Sequence, residues 1–388
     1  MFPKKVFESF QNIPTPFYYY DLEVLKEGLR RIKAESEPHG YQVHYALKAN
    51  PNITILNIVK GYGLGADCVS GNEVKRAIEA GFDPRHIVFA GVGKSDEEIT
   101  YAIGCGIFCF NCESMQELEV IHKLAVKAGK KARIALRINP NVNANTHKYI
   151  TTGLEENKFG INLWELESVM ERLPELKSLE LIGLHFHIGS QITDLTSFKS
   201  LCLRVNEIQG WFVSRNIKIE HINVGGGLGV DYHEPDKNQY PDFKAYFSLF
   251  HEFLEVRPGQ QVHFELGRAV VAQCGTLVSK VLYIKKGQNT NFAILDAGIT
   301  ELIRPALYQS YHSIDNLSKK FMPAGSVPVL RYDVVGPICE SSDCFRKAVD
   351  LPETERGDLI AIRTAGAYGE VMASSYNLRD RVKAFYSA

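Results

Sequence analysis

Residues 43–52 read Val43-His44-Tyr45-Ala46-Leu47-Lys48-Ala49-Asn50-Pro51-Asn52. The first part is an apolar, strand-like run, and the Asn-Pro-Asn after it is a turn signal, so Lys48 is predicted at the rim of a core. A lysine in water has a pKa of about 10.4, and burial lowers that pKa and frees the amine. Such a lysine suits imine formation with a carbonyl. The alternative is a strand-end lysine that points into solvent.

Seven further strand candidates follow this one, and most of the intervals between them have a helical pattern. Residues 73–80 close on Gly81, and residues 114–128, with apolar residues at helical spacing, close on Gly129. The eight strand candidates span residues 43–48, 64–68, 86–90, 107–111, 133–138, 181–187, 221–224 and 262–265.

This rhythm predicts the fold class, an α/β chain whose first domain is a (β/α)8 TIM barrel. A doubly wound open sheet is the competing fold, and it needs a glycine fingerprint after its first strand. The glycines at 61, 63 and 65 precede a strand instead of following one, so they are interpreted as a turn. The barrel is predicted over residues 25–272.

The pattern changes after about residue 275. Strand candidates at 278–284, 292–295, 327–335, 359–362 and 381–386 follow one another without a long helical stretch. The sequence therefore predicts an all-β C-terminal domain at 273–388, to which residues 1–24 are added.

Composition and charge exclude several classes of protein. The chain has 388 residues with 45% hydrophobic and 23% charged residues and a net charge of -1, so neither a nucleic acid nor a membrane surface is an expected partner. No apolar run approaches the length of a membrane span. Without a signal-peptide core, eight scattered cysteines favour a cytoplasmic location. The Cys109-x-x-Cys112 spacing fits zinc or redox chemistry, but its apolar surroundings favour buried core residues.

Polar residues are concentrated at the carboxyl ends of the predicted barrel strands, where TIM barrels carry their chemistry. An unselected set of strand ends would not be this polar, so these residues predict one shared site. They are Lys48, Asp67, Asn111, Arg137, His185, His187, the loop Gly225-Gly226-Gly227-Leu228-Gly229, and Glu265 with Arg268.

The residue types in this set match the needs of pyridoxal 5'-phosphate (PLP). Lys48 offers an amine for an imine, and backbone N–H groups of the glycine loop can approach a phosphate closely. The pair His185 and His187 suggests a metal site or a ring that stacks on a planar cofactor, and without a clear third ligand stacking is favoured and no metal is predicted. The Glu265 carboxylate would keep the pyridine nitrogen protonated, which favours a decarboxylase or transaminase over a racemase.

With these motifs in order, the chain resembles the group IV, fold-type III PLP-dependent decarboxylases from about Thr15 to its C-terminus. Leu266 departs from the family's usual proline in Glu-Pro-Gly-Arg, and we expect little functional change because both charged side chains remain. The segments that carry the resemblance are residues 45–50, 158–161, 185–191, 225–229, 265–268, 304–308, 336–343 and 366–369.

The resemblance implies roles for individual residues. Lys48 resembles the Schiff-base lysine, Cys339 the proton donor and His187 the residue that stacks on the cofactor ring. The segment with Cys339 and Glu340 reaches the partner subunit's barrel in this family, so a homodimer with composite active sites is implied. Cofactor-binding positions are implied for Lys48, Asp67, His187, Ser190, Gly227, Gly229, Glu265, Gly267, Arg268 and Tyr368. Substrate contacts are implied for Arg268, Arg304, Tyr308, Glu340 and Tyr368.

The expected substrate is a small amino acid with a second amino-acid group at its far end. Arg268 and Arg304 suit a distal carboxylate and Glu340 suits a distal ammonium, which favours meso-2,6-diaminopimelate, with L-lysine and CO2 as products, over ornithine, lysine or arginine. Carboxynorspermidine also carries a carboxylate, so the arginines discriminate less well against it. Non-catalytic alternatives are a PLP carrier and a decayed homologue that only binds a partner. The β domain counts against the first, and the presence of Lys48 and Cys339 against the second.

Overall fold

The computed structural model describes residues 3–142, 158–323 and 325–387. The chain forms two compact units. The barrel unit comprises residues 28–229 and 242–270, and the β unit comprises residues 1–27, 230–241 and 271–388. The division predicted from sequence, 25–272 against 273–388 with 1–24, stays a prediction.

Sixteen strands are found in the described residues. They are β1 Phe17–Tyr20, β2 Gln42–Ala46, β3 Gly65–Cys68, β4 Ile87–Phe89, β5 Cys109–Cys112, β6 Ala132–Arg137, β7 Leu179–His185, β8 His221–Asn223, β9 Gln261–Leu266, β10 Gly275–Lys286, β11 Asn291–Leu295, β12 Ile314–Asn316, β13 Val329–Val335, β14 Cys344–Pro352, β15 Leu359–Ile362 and β16 Lys383–Tyr386.

The same residues contain eleven α-helices. They are α1 Lys4–Phe10, α2 Leu22–Ser36, α3 Ile53–Gly61, α4 Gly71–Glu79, α5 Asp96–Cys105, α6 Met115–Lys127, α7 Leu166–Arg172, α8 Thr196–Ser214, α9 Phe243–Phe253, α10 Arg268–Val271 and α11 Arg304–Tyr308. None of these helices is long and apolar enough to cross a membrane.

The predicted TIM barrel is confirmed. Strands β2 to β9 form a closed barrel in chain order, every neighbouring pair is parallel, and β9 pairs back to β2. The helices α4 and α6 also form where the sequence places them. Ser114 caps α6 by accepting a hydrogen bond from the Glu117 N–H at 3.2 Å, and Gly129 takes the positive φ of +63° that ends the helix without strain.

Two strand ends differ from the prediction in a way that bears on the site. β2 stops at Ala46, and Lys48 lies in a 3₁₀ turn at Leu47–Ala49, which the Tyr45 hydroxyl closes by donating to the Asn50 carbonyl at 2.9 Å. β7 stops at His185 and not at residue 187 as predicted, so His185 and His187 do not share one strand, and His187 lies beyond it.

The barrel interior combines an apolar cluster with a chain of histidines. Val88, Cys109, Ala135 and Ile182 form the apolar cluster, and Cys112 is buried as well, which confirms the core interpretation of the Cys-x-x-Cys pair. The histidine chain is held together by short contacts of its ring nitrogens. His44 Nδ1 lies 3.2 Å from the His86 carbonyl, His44 Nε2 lies 3.0 Å from His263 Nδ1, and His263 Nε2 lies 2.9 Å from His221 Nδ1.

The β unit is built on an eight-stranded sheet in the order β12-β15-β10-β11-β13-β14, with β1 between β10 and β16. The mostly β character predicted for this region is confirmed, although α1 and α11 add short helices. Sequence patterns missed β1, β12 and β14. On one side of the sheet, aromatic side chains of Phe7, Phe10, Phe17 and Tyr19 pack on Val278 in a buried core.

Candidate active site

Lys48 and Asp67 form an ion pair at the carboxyl ends of β2 and β3. Lys48 Nζ donates to Asp67 Oδ2 at 3.3 Å, and the lysine side chain is 37% exposed while that of Asp67 is fully buried. Burial and the charge of Glu265 raise the pKa of Asp67 to about 7, and Lys48 opposes that rise only in part. The lysine amine is thus accessible and held beside an acid that gives up its proton near neutral pH.

Glu265, on β9, is a buried carboxylate with several hydrogen-bond donors. Asn223 Nδ2 donates to Oε1 at 2.8 Å, Asn111 Nδ2 at 3.4 Å, and His185 Nε2 lies 3.1 Å from the same oxygen. Burial would raise the pKa of Glu265, but His185 and the charge of Lys48 outweigh burial and hold it well below its usual range. Of the two buried acids, Glu265 is therefore the one that stays ionised well below neutral pH, while Asp67 changes its charge near pH 7.

His187 lies directly after β7 and is a neutral imidazole. Burial, with the charges of Lys48 and Arg137, holds its pKa well below the usual value. Its Nδ1 accepts a hydrogen bond from the Gly226 N–H at 3.3 Å, which fixes the ring against the glycine loop. Among the described residues, no group of three or more His, Cys, Asp or Glu side chains is placed to hold a metal ion. The absence of a metal stays a prediction.

The glycine loop after β8 packs so closely that side chains are excluded. A Cβ on Gly226 would lie 1.7 Å from the Glu265 carbonyl oxygen, and one on Gly227, whose φ is +109°, would lie 2.5 Å from the Gly189 carbonyl oxygen. The Gly229 N–H donates to the Ile192 carbonyl at 2.9 Å. The loop thus presents bare backbone beside His187, as a phosphate cradle requires.

Arg268 and Ser190 are brought together at the same end of the barrel. Arg268, the first residue of α10, is buried, and its Nη2 donates to the Ser190 hydroxyl at 3.0 Å. Gly267, between β9 and α10, packs closely against the residues beside Lys48, because a Cβ there would lie 3.0 Å from the Ala49 Cβ. Leu266, which replaces the family's proline, is buried at the end of β9.

Three other predicted site residues lie in the β unit. Arg304 and Tyr308 are the first and last residues of α11, and Arg304 is buried. Tyr368 is half-buried and has a φ of +57°, a left-handed conformation that a tyrosine rarely adopts. Strain of this kind is most often retained where a side chain must be aimed at a ligand.

Cys339 and Glu340 are exposed at the tip of the loop that joins β13 to β14. Asp343 closes this loop from inside, because its carboxylate oxygens accept the N–H groups of Ile338 and Ile299 at 2.7 Å each. A Cβ on Gly336 would lie 2.4 Å from the same carboxylate. The Cys339 N–H donates to the Asn377 side-chain oxygen at 3.1 Å, and this hydrogen bond helps to fix the backbone at Cys339.

Sequence reasoning missed several polar residues that hold the site in place. Asn223 donates to Glu265 and accepts the Gly225 N–H at 2.9 Å, and its place at the end of β8 could have indicated it. Glu113 pairs with Arg137 at 2.8 Å and accepts the Gly160 N–H at 2.9 Å. No motif in the sequence singles out Glu113.

The described residues of the barrel unit fit PLP. An accessible amine, a bare glycine loop, a neutral, half-buried imidazole and an ionised carboxylate occur together. Asp67 Oδ1 and His185 Nδ1 are buried without a hydrogen-bond partner among the described side chains. Buried polar atoms of this kind are costly unless a bound group or water satisfies them, so the site is built for an additional polar occupant.

Comparisons with known proteins agree with this fit. The family described as "Pyridoxal-dependent decarboxylase, pyridoxal binding domain" matches residues 23–272. A diaminopimelate decarboxylase of Bacteroides thetaiotaomicron is 56% identical over 98% of this chain and 97% of its own.

Solved structures match as well. The diaminopimelate decarboxylase of Helicobacter pylori complexed with L-lysine has a TM-score of 0.91 and 40% identity, and the match covers 98% of this chain and 93% of that one. The M. jannaschii enzyme in co-complex with L-lysine has a TM-score of 0.90 and 34% identity, covering 98% and 89%. The chain therefore belongs to the family of pyridoxal-dependent decarboxylases.

Proposed function

We propose that this chain decarboxylates meso-2,6-diaminopimelate to L-lysine and CO2 with PLP as its cofactor. The observation that carries the proposal is the similarity, over nearly the whole length of both chains, to a relative named diaminopimelate decarboxylase. Relatives whose structures contain L-lysine, the product of this reaction, have the same fold. The residues of the site supply the chemistry that the reaction needs.

The barrel unit provides the residues for the cofactor. Lys48 would hold it covalently, the glycine loop its phosphate, His187 one face of its ring and Glu265 its ring nitrogen. PLP, when bound, supplies a sink for the electron pair left on carbon when CO2 departs. Glu265 has to stay ionised for this, and the amides of Asn111 and Asn223 with His185 keep it so.

The β unit provides the proposed acid and the proposed recognition of the substrate's far end. Cleavage of the C–C bond to the carboxylate leaves a carbon that must gain one proton. We assign that proton to the Cys339 thiol, which regains it from solvent. Arg304 pairs with the distal carboxylate, Glu340 with the distal ammonium, and Arg268, Tyr308 and Tyr368 complete the substrate contacts.

We also propose that the active form is a homodimer. Family resemblance implies that the loop with Cys339 and Glu340 serves the barrel of the other subunit. The exposure of both side chains in the single chain supports this assignment. A thiol that donates a proton to carbon needs a site shielded from bulk water, and a second subunit would supply that shield.

We propose a cytoplasmic location as well. All eight cysteines are free thiols in the structure, and seven of them, all except Cys339, have no part in the proposed chemistry. Free thiols persist in a reducing compartment. Fractionation of cells that make the protein, with activity measured in each fraction, tests this assignment.

One assay tests the proposed function against its alternatives. The purified protein with added PLP is offered meso-diaminopimelate, ornithine, arginine and carboxynorspermidine, and CO2 release is measured. CO2 release from meso-diaminopimelate with stoichiometric L-lysine is expected. Preference for another of the four compounds would replace the substrate assignment, and PLP binding without CO2 from any would favour a non-catalytic homologue.

A further inference from the structure

The guanidinium of Arg304 is held by three neutral side chains of the β unit. Its Nη1 donates to the Tyr232 hydroxyl at 2.8 Å and lies 3.4 Å from His312 Nε2, while Nη2 donates to the Ser310 hydroxyl at 3.3 Å. Arg304, Tyr232 and His312 are all buried. The hydrogen bonds to these three side chains fix the orientation of the guanidinium.

The direction of the hydrogen bonds identifies His312 as an acceptor. His312 Nδ1 lies 2.9 Å from the carbonyl oxygen of Arg363, which can only accept, so the ring proton is on Nδ1. A guanidinium N–H can only donate, so His312 Nε2, which faces Arg304 Nη1, is the unprotonated acceptor of a neutral ring. The rings of His312 and Tyr232 meet edge to face, with centroids 5.1 Å apart at 79°, so the two acceptors brace each other.

The backbone around this group is fixed by the sheet. Arg304 begins α11, the helix ends at Gln309 with a φ of +54°, and this turn brings Ser310 and His312 back toward the guanidinium. The Arg363 N–H donates to the Ser313 carbonyl at 2.9 Å, which continues the β12–β15 pairing.

Tyr232 is tied to the same frame by a separate ion pair. It lies in the segment 230–241, where Asp236 Oδ1 accepts from Arg363 Nη2 at 2.9 Å. Arg363 is buried and also pairs with Asp315 at 3.2 Å. The segment that carries Tyr232 is thus anchored to the side chain of Arg363 through Asp236, and His312 is anchored to the carbonyl of Arg363.

We propose that Tyr232, Ser310 and His312 are positioning residues that aim Arg304 at the carboxylate of the substrate's distal amino-acid group, and so determine specificity for it. This inference rests on the proposed function. A guanidinium binds a carboxylate with two parallel hydrogen bonds only if its plane is correctly set. These three residues set that plane, and none of them touches the reacting carbon.

The test uses the PLP-loaded protein and variants of the two ring acceptors. His312→Leu removes the acceptor, His312→Gln restores one, and Tyr232→Phe removes only a hydroxyl. Tyr283→Phe, at a tyrosine that is 58% exposed, is the matched control. L-lysine, which retains the distal amino-acid group, is titrated by calorimetry, and KM and kcat are measured for meso-diaminopimelate.

We expect His312→Leu and Tyr232→Phe to weaken L-lysine binding and to raise KM about tenfold, the effect of losing a hydrogen bond to a charged group, with kcat changed less than about threefold. His312→Gln should recover most of the affinity. A fall in kcat at unchanged KM, or no rescue by glutamine, would overturn the positioning role, because both indicate general damage to the unit that carries Cys339.

Tyr232→Phe keeps the inference testable if His312→Leu does not fold, because the phenylalanine ring preserves the packing. Unchanged L-lysine affinity in Tyr232→Phe would overturn the proposal. If the unmodified chain neither binds L-lysine nor releases CO2 from meso-diaminopimelate, the proposed function fails as well. The two failures are therefore distinguishable.

Discussion

Lys48 Nζ lies 3.3 Å from Oδ2 of Asp67, a carboxylate that is fully buried and whose pKa is raised to about 7. An acid whose pKa rises on folding binds more protons in the folded state, so its contribution to the free energy of unfolding falls as pH rises from about 4 to about 7. Above about pH 7 Asp67 is ionised, and its buried charge lowers the free energy of unfolding by the full amount. Ionised Asp67 therefore destabilises the folded protein at the same pH at which it can form an ion pair with Lys48.

Replacement of Asp67 tests this relationship. Asp67→Asn should raise the melting temperature of the cofactor-free protein at pH 8, by more than it does at pH 5, and should lower decarboxylase activity by at least about tenfold. Thermal unfolding at both pH values measures the first effect. Asp380→Asn, at an exposed site, should change neither quantity. Equal destabilisation by Asp67→Asn at both pH values would contradict the raised pKa.

The covalent attachment of the cofactor is assigned to Lys48. Borohydride reduction of the PLP-loaded protein should fix pyridoxyl to the chain, and mass spectrometry should locate it on the peptide with Lys48. Lys48→Ala should abolish this labelling, while Lys127→Ala, at an exposed lysine at the end of α6, should leave it intact. Labelling that persists in Lys48→Ala would mean that another lysine holds the cofactor.

The glycine loop is sensitive to a single methyl group. Gly226→Ala would place a Cβ 1.7 Å from a backbone oxygen, so the loop must move, and we expect loss of measurable PLP binding by absorbance titration. Gly210 provides the matched control, because it lies in α8 with nothing within 4 Å of its Cβ position. Gly210→Ala should retain PLP and stabilise the protein by about 0.5–1 kcal/mol. Normal PLP affinity in Gly226→Ala would rule out the cradle.

The proposed composite site predicts complementation between inactive variants. Cys339→Ala and Lys48→Ala chains are each expected to be inactive. Mixed dimers contain one site in which both residues are present, so activity should reach about one quarter of the unmodified level after random exchange of subunits. Native mass spectrometry confirms that mixed dimers have formed. No activity in such mixtures would show that both residues must come from the same chain.

The histidine chain of the barrel predicts acid sensitivity. Burial lowers the pKa of His44 to about 4, and burial also lowers that of His263 and His221. As the pH falls, the unfolded chain therefore binds protons before the folded chain does, so the free energy of unfolding has its full value above about pH 6.5. Through His44 alone, the free energy of unfolding falls by about 1.4 kcal/mol for each pH unit between pH 6.5 and pH 4.

Urea unfolding across this pH range measures the loss, and His44→Gln should flatten the curve. His233→Gln, at an exposed histidine of the β unit, should not change its slope. Stability that does not vary between pH 6.5 and pH 5 would contradict the lowered pKa values.

The barrel was predictable from sequence because its signal is periodic, whereas the site was only partly so. Lys48, Asp67 and Glu265 stand at or beside strand ends, where parallel topology forces them to one rim. The stacking role of His187 stays a prediction, and its place on a strand was predicted wrongly, since β7 ends two residues earlier.

Contacts of long sequence separation explain what was missed. The hydrogen bonds from Tyr232 and His312 to Arg304 depend on the pairing of β12 with β15, and β12 is only three residues long with no alternating pattern to reveal it. The role of Glu113 likewise depends on the fold, which brings Arg137 beside it to form an ion pair. Neither composition nor residue spacing predicts contacts between side chains that lie so far apart in the sequence.

The loop that carries Cys339 is closed from within by Asp343, and this closure has an entropic consequence. A loop that orders only when substrate arrives loses affinity, because each residue it immobilises costs roughly 1–2 kcal/mol of conformational entropy. Here the carboxylate of Asp343 fixes the backbone at Ile338 and Ile299 during folding. The backbone that carries the thiol is therefore ordered before any ligand binds, and no binding energy has to be used to order it.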